Sequence, residues 1–156
     1  MLTTGCATLR SSGSRPTRII VLDTAAFLAR LQLSLYGVEL VTTPSVIEEV
    51  KDFESRLGLE LSLEVSRVSV EEPSAEAIDR ARRAASELGV LERLSRTDLE
   101  VLALALDKAR SGAEVAIATD DYSVQNVATY LGLRFLPIKT RGIDRIRVFK
   151  RKSSSA

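Results

Sequence analysis

Carboxylates follow two apolar runs of the sequence, at the points where each run ends. Asp23 comes directly after residues 19–22, and Asp120 and Asp121 come directly after residues 115–119. Runs of this length and apolar content predict buried strands. Because ligands of parallel α/β sheets bind at the edge where the strands end, we expect these acids to lie together at one edge of a sheet.

A further candidate acid, Glu49, belongs to a helix that is predicted to begin after Pro44. On a helical wheel, Glu49 lies at the flank of the apolar stripe, whereas Glu48 points nearly opposite to that stripe. Ser45 and Glu48 have the spacing of a capping box, which gives Glu48 a local role at the start of the helix. Glu49 has no such role, and its position suits contact with a ligand in a cleft.

Each acid also has a purely structural interpretation. Asp23 can cap the helix that follows it, and Asp98 has capping-box spacing from Ser95, as Glu100 has from Thr97. An acid in the first turn also suits the helix dipole. Of the two adjacent acids after the later apolar run, one can cap the next helix while the other is solvated. Capping accounts for any single acid but not for their shared placement.

The acids, if they converge, predict a metal site. Ionised carboxylates in one pocket raise one another's pKa, and a hard divalent ion with oxygen ligands, Mg²⁺ or Mn²⁺, removes that cost. The chain contains no His, which excludes Ser-His and Cys-His catalysis and the usual general base at neutral pH. Any chemistry must therefore depend on carboxylates.

The elements that would position these acids alternate between strands and helices. Strands are expected at 18–23, 39–42, 65–70 (as an edge strand), 114–119 and 134–138. Helices are expected at 25–31, from 44 onward, and at 74–88, 97–109 and 122–131. This alternation predicts an α/β fold with a central, mostly parallel sheet and helices on both faces.

Length and composition limit the classes of protein. With 156 residues, of which 45% are hydrophobic, the chain fits one domain, which we place at 18–150. The Ser-, Thr- and Gly-rich leader over 1–17 and the tail over 151–156 are predicted to be disordered. The net charge of +1 predicts that contact with nucleic acid depends on local surfaces rather than on global charge.

Cysteine content and hydropathy indicate the compartment. The single Cys6 excludes a disulfide within the chain and leaves too few thiols for a zinc site, which favours a reducing, cytoplasmic setting. No run approaches the roughly 20 apolar residues needed to span a bilayer, so we expect a soluble protein without a membrane partner. The 17 Arg against 5 Lys and the few thermolabile residues indicate a thermophile, although a GC-rich genome would also raise Arg.

The motifs together resemble PIN-domain ribonucleases over residues 18–138. They are Val-Leu-Asp-Thr at 21–24, Thr-Pro-Ser-Val-Ile-Glu-Glu-Val at 43–50, the segment 94–104, and Thr-Asp-Asp-Tyr at 119–122. Within that family, residues 120–126, 131–135 and the Arg-Gly-Ile of 141–143 are most similar to the archaeal Nob-type endonucleases that mature small-subunit ribosomal RNA.

The resemblance implies a three-layer PIN-like fold and a Mg²⁺- or Mn²⁺-dependent endoribonuclease that cleaves single-stranded RNA. It implies partners as well: a ribosomal RNA precursor, the small ribosomal subunit and a second copy of the chain. Thr24 and Thr119 would supply supporting hydroxyls. The family's last motif reads Thr-x-Asp, which favours Asp121 and keeps Asp120 in reserve. The implied acidic cluster is Asp23, Glu49, Asp98 and Asp121.

Two other functions stay open at this point. Nob-type proteins continue into a Cys-rich zinc ribbon, whereas no Cys follows Cys6. A toxin ribonuclease of the VapC type would use the same acids, and a non-catalytic PIN scaffold would bind RNA or a protein. A phosphatase of the haloacid type is disfavoured, because Asp23-Thr24-Ala25 lacks the Asp-x-Asp motif.

Arginines are the candidates for contact with RNA phosphates, because guanidinium groups pair with phosphates bidentately. The candidates are Arg30, Arg96, Arg134, Arg141, Arg145 and Arg147. By contrast, the Arg80, Arg82 and Arg83 run shares a helix with acids at 76, 79 and 87, and is expected to form an exposed, salt-bridged face.

Overall fold

A computed structural model of the chain describes residues 16–58 and 67–139. In these ranges the strands are β1 (Arg18–Leu22), β2 (Glu39–Thr42), β3 (Val68–Val70), β4 (Glu114–Ala118) and β5 (Arg134–Leu136). The helices are α1 (Thr24–Leu28), α2 (Pro44–Leu57), α3 (Ala75–Glu87), α4 (Arg96–Arg110) and α5 (Tyr122–Tyr130). Two 3-10 turns span Leu31–Leu33 and Leu91–Arg93.

The five strands form one sheet in the order β3-β2-β1-β4-β5, and every pairing is parallel. The chain moves outward from β1 to β3 and then crosses back to β4. The direction of winding therefore reverses between β1 and β4, which is where ligands of open α/β sheets bind. Leu22 is the register partner of Ala118, so the residues that follow these two strands start side by side.

The helices cover both faces of the sheet, which confirms the predicted three-layer α/β fold. Crossovers between parallel strands are right-handed. On either side of the reversal, this handedness places α1 and α2 on one face of the sheet and α3, α4 and α5 on the other face. The α4 helix packs on β1 and β4 and is buried almost all round between Val101 and Leu106, because α3 covers its other side. The buried face of α3 consists of alanines, which lets the two helices approach closely.

Several boundaries differ from the predictions for local reasons. The first helix ends at Leu28 rather than at 31, and Arg30 then adopts a left-handed conformation with φ of 62°. β5 ends at Leu136, because the N–H groups of Ile138 and Lys139 donate to a side chain. The predicted edge strand is confirmed over Val68–Val70, and residues 59–66 lie outside the described residues.

The predicted cap of α2 was wrong. Thr43, not Ser45, is the N-cap, and its hydroxyl accepts a hydrogen bond from the N–H of Val46. Ser45 instead donates to Glu100 at 2.6 Å. Pro44 forces this arrangement, since proline suits the first helical position and fixes the preceding residue as extended backbone.

Some predicted features cannot be compared with the structure. The leader over 1–17, apart from its last two residues, and the tail over 151–156 lie outside the described residues, as do Cys6, the 141–143 motif and Arg141, Arg145 and Arg147. Among the helices that the structure does describe, none combines the length and the apolar character needed to cross a bilayer.

Candidate active site

Asp23 and Thr119 connect the ends of the two central strands. Asp23 follows β1 and caps α1, with Oδ1 accepting from the N–H of Ala26 at 2.8 Å. The Thr119 hydroxyl hydrogen-bonds the Asp23 carboxylate and accepts from the N–H of Asp121 at 3.1 Å. Thr119 is fully buried. From the interior of the protein, its hydroxyl therefore holds the Asp23 carboxylate and the backbone of Asp121. The capping interpretation of Asp23 is therefore correct and compatible with a place in a cluster.

Glu49 joins three helices through two hydroxyls. Thr24 of α1 donates to one carboxylate oxygen at 2.7 Å, and Thr97 of α4 donates to the other at 2.8 Å. The predicted supporting role of Thr24 thus has a specific partner. Thr97 was missed as a supporting residue, because its capping-box spacing with Glu100 suggested a cap, whereas the structure makes it a buried helical residue.

Asp98 lies in the first turn of α4 and forms the predicted capping box with Ser95. The Ser95 hydroxyl accepts from the N–H of Asp98 at 3.1 Å, and Asp98 Oδ2 accepts from the N–H of Ser95 at 2.9 Å. This reciprocal pair holds the carboxylate at the amino end of α4, where the helix dipole favours negative charge. Glu100 instead accepts from Ser45 and from Arg96.

The adjacent acids after β4 have different surroundings. Asp121 caps α5, with Oδ1 accepting from the N–H groups of Ser123 and Val124 at 2.8 and 3.3 Å. Its Oδ2 accepts no hydrogen bond from the described residues. Asp120 is not simply solvated as one interpretation expected, because both of its oxygens accept from the backbone of Ile138 and Lys139. Asp121 therefore keeps the more available oxygen.

The charges of the acids affect the pKa values of two of them, Asp23 and Asp98. Burial raises the pKa of Asp23 to about 6, and the charges of Asp98 and Asp120 add to this effect, while hydrogen bonds from Thr119 and Ala26 oppose it. Burial also raises the pKa of Asp98, with further contributions from Asp121 and Glu49. Each of the five acids thus either has its pKa raised by the charge of another acid or contributes to such an increase, although the acids come from four different segments of the chain.

The donor chemistry of this cluster fits a hard divalent cation. The available ligands are carboxylate and hydroxyl oxygens, and no ion pair within the described ranges neutralises any of the five acids. No group of three or more Asp, Glu, His or Cys side chains in those ranges is close enough to hold an ion. An ion at this site would therefore be held by fewer than three of these side chains, with waters as its other ligands, as is usual for Mg²⁺.

The candidate arginines are spread around the molecule. Arg96 lies in the same first turn of α4 as Asp98, its side chain is 86% exposed, and its Nε donates to Glu100 at 3.0 Å. Arg30 is exposed after α1, and Arg134 begins β5 at the register of Ala116, before the edge where the acids lie. Arg96 is therefore the best placed of the described candidates for contact with a phosphate in the cleft.

The predicted salt-bridged face of α3 is confirmed for one pair. Arg83 and Asp79 are 2.8 Å apart, at i and i+4 spacing. The other two acids have partners outside this helix: Glu76 pairs with Arg110 at 3.7 Å, and Glu87 accepts from the Tyr130 hydroxyl at 2.5 Å.

Comparison with known proteins identifies relatives over most of the chain. The family model of the PIN domain of ribonuclease matches residues 20–107. Ribonuclease VapC3 of Aeropyrum pernix is 50% identical over 134 residues, which cover 85% of this chain and 96% of the relative. Endoribonuclease Nob1 of Pyrococcus abyssi is 44% identical, with 81% of this chain and 72% of the relative covered. Endoribonuclease Nob1 of Archaeoglobus fulgidus is 40% identical, with 80% and 71% covered.

Proposed function

From the premise that the chain belongs to the PIN-domain family of ribonucleases, we propose that it is a Mg²⁺- or Mn²⁺-dependent endoribonuclease that cleaves single-stranded RNA. The observation that supports this proposal is the set of hydrogen bonds that links the segments carrying the acids: Glu49 accepts from Thr24, next to Asp23, and from Thr97, next to Asp98. The Thr119 hydroxyl likewise contacts Asp23 and accepts from the N–H of Asp121. PIN-domain ribonucleases generally use divalent metal ions, and the oxygen-only donor set suits such an ion.

The candidates for holding the ion are Asp23, Glu49, Asp98 and Asp121, with Asp120 as the alternative to Asp121. Because no three acids among the described residues are close enough to hold an ion together, waters would complete its coordination. A divalent ion supplies two things to phosphodiester hydrolysis: it lowers the pKa of the attacking water, and it offsets the charge that develops on the phosphate. The hydroxyls of Thr24, Thr97 and Thr119 keep the carboxylates in fixed orientations. Such preorganisation avoids reorientation during the reaction.

The substrate that we propose is the precursor of small-subunit ribosomal RNA, processed in the cytoplasm on or near the small ribosomal subunit. The support is the 40–44% identity with two Nob1 endoribonucleases and the 120–126 motif that begins at the acidic pair. A homodimer is part of the same proposal.

A toxin ribonuclease of a toxin-antitoxin pair is the second candidate. The observation that favours it is the match to a VapC3 ribonuclease at 50% identity, with 96% of that protein covered. Both functions require the same chemistry, so they differ in substrate and in whether an antitoxin occupies the cleft. A non-catalytic scaffold is disfavoured by the presence of all the acids.

Cleavage of a single-stranded RNA that spans the 3′ end of small-subunit ribosomal RNA tests the proposal. The reaction is run with Mn²⁺, with EDTA and with an Asp23→Asn variant. We expect cutting that requires Mn²⁺, is lost in the variant and occurs at the mature end. Cutting at many sites, or at an unrelated RNA, would favour the toxin. A folded, Mn²⁺-saturated protein that does not cut would contradict the nuclease assignment.

A further inference from the structure

An exposed tyrosine stands next to the acidic cluster. Tyr122 is the first residue of α5, directly after Asp121, and is 80% exposed. Within the described parts of the chain, its side chain has neither a hydrogen bond nor a ring contact. Tyr36, which is 74% exposed, differs: its hydroxyl donates to Leu33 and Arg67 lies over its ring. Tyr122 therefore has an aromatic face available to a ligand.

The exposed face of α5 continues from this tyrosine into a groove. Tyr122, Asn126 and Tyr130 recur at intervals of four residues and lie on one face of the helix. The groove has a volume of about 470 Å³, and Leu88 and Phe135 contribute to its lining. The bond between the Tyr130 hydroxyl and Glu87 ties α5 to the end of α3 at this groove. Its size is within the range of small-ligand sites.

Two residues that line the groove, Tyr122 and Gln125, connect it to the segment that carries Asp120 and Asp121. Gln125 lines the groove, and its Nε2 donates to the backbone oxygen of Thr119 at 2.9 Å. Its backbone N–H donates to the carbonyl of Asp121 at 2.9 Å. A ligand in the groove would consequently lie near the amino end of α5, which Asp121 caps.

The residues that line the groove suit a nucleic-acid base rather than a phosphate group. No Lys or Arg is among the described residues that line the groove, so it has no cation for a phosphate. Aromatic faces stack on unpaired bases, and side-chain amides such as that of Asn126 hydrogen-bond base edges. We propose that this groove binds one unpaired base of the RNA next to the cleavage site, with Tyr122 stacking on it. This proposal rests on the ribonuclease function proposed above.

Binding of a short fluorescein-labelled single-stranded RNA, followed by anisotropy in EDTA, tests the groove without relying on cleavage. We expect Tyr122→Ala to bind about 5- to 100-fold more weakly, since loss of one stacked base has an effect of this size. Tyr122→Phe retains the ring and should bind within about twofold of the unaltered protein. Tyr36→Ala is the matched control, because it removes an equally exposed tyrosine before β2, and its binding should be unchanged.

Three outcomes would overturn the groove proposal. One is a Tyr122→Ala variant that binds the RNA as tightly as the unaltered protein, and another is an equal loss in the Tyr36→Ala variant. The third is a homodimer, measured by sedimentation, that Tyr122→Ala dissociates without changing RNA affinity, which would make the groove a protein interface. In each of these three cases, the unaltered protein would still cleave RNA in the presence of Mn²⁺. Failure of the ribonuclease proposal itself would instead appear as absence of cleavage and of RNA binding by the unaltered protein.

Discussion

The two ends of β1 and β4 both carry acids, but among the described residues only the amino ends pair an acid with a cation. At the amino edge, Glu114 at the start of β4 pairs with Arg18 at the start of β1 at 3.3 Å, and both side chains are well exposed. At the carboxyl edge of the same two strands, Asp23 and Asp120 have no cationic partner among the described residues. The ends of β1 and β4 thus carry four acids, namely Glu114, Asp23, Asp120 and Asp121, and one cationic partner, Arg18.

This difference distinguishes an exposed acid on the surface from partly buried acids that are candidates for a functional site. An exposed, paired carboxylate costs little to place at a strand end, since water and arginine both stabilise its charge. By contrast, burial and neighbouring acids raise the pKa values of Asp23 and Asp98, so ionisation of these two groups makes folding less favourable unless an external cation is bound. The carboxyl edge is consequently the part of the sheet where a bound cation would relieve the cost of ionising Asp23 and Asp98.

The largest effect should come from removing one acid at the carboxyl edge. We expect Asp98→Asn to reduce Mn²⁺-dependent RNA cleavage by about 100-fold or more, because loss of a few kcal/mol of charge stabilisation in the transition state has this effect on the rate. Initial cleavage rates measure it. Glu114→Gln, which removes an acid from the amino edge, is the matched control and should cut normally. Equal losses in both variants would remove the distinction between the edges.

Substitution of each of the two adjacent acids after β4 should change the cleavage rate to a very different extent. Asp121→Asn is expected to lose cleavage about 100-fold, because Asp121 retains an oxygen without a hydrogen bond and is coupled to Asp98. Asp120→Asn is expected to keep most activity but to lower the free energy of unfolding by about 1–3 kcal/mol. The reason is that the charged Asp120 carboxylate accepts hydrogen bonds from the backbone N–H groups that follow β5. Urea unfolding and cleavage rates together measure both. The reverse order of activities would make Asp120 the ligand.

Stability of the metal-free protein should depend on the ionisation of Asp23. Its pKa of about 6 in the folded protein lies above the ordinary value of 3.8, so the folded state holds a proton more tightly than the unfolded state does. The resulting stabilisation is fully present below about pH 3.8 and is lost as the pH rises through about 6. We expect the loss to be about 2–3 kcal/mol.

Urea unfolding in EDTA at several pH values measures this dependence. Asp23→Asn keeps an oxygen that can cap α1 but cannot ionise. The variant should therefore be more stable than the unaltered protein at pH 7.5 and should lose less stability between pH 4 and pH 7. A variant with unchanged pH dependence would show that the Asp23 carboxylate is solvated in the folded protein.

The accuracy of sequence-based prediction also differs between regions. The positions of the strands near the site followed from apolar runs and from the acids at their ends, because buried parallel strands are continuous apolar segments. Side-chain partners did not follow: Thr97 was interpreted as a cap and instead donates to Glu49, which lies 48 residues earlier. Such contacts depend on how α2 and α4 approach each other across the sheet, and spacing within one helix cannot specify that approach. The cap of α2 was wrong by two residues for a related reason, since Ser45 has a distant partner in Glu100.

The smallest effect should come from the ion pair at the amino edge. Arg18 and Glu114 are register partners on neighbouring strands, but their side chains are 67% and 43% exposed. Water and salt screen such a pair, so we expect Arg18→Gln to change the free energy of unfolding by no more than about 0.5 kcal/mol and to leave Mn²⁺-dependent cleavage unchanged. A double-mutant cycle with Glu114→Gln, measured by urea unfolding at low and high salt, isolates the pair. A coupling energy above about 1 kcal/mol would mean that the amino edge also depends on its charges, and the acids at the carboxyl edge would no longer be distinguished by their lack of a counter-charge alone.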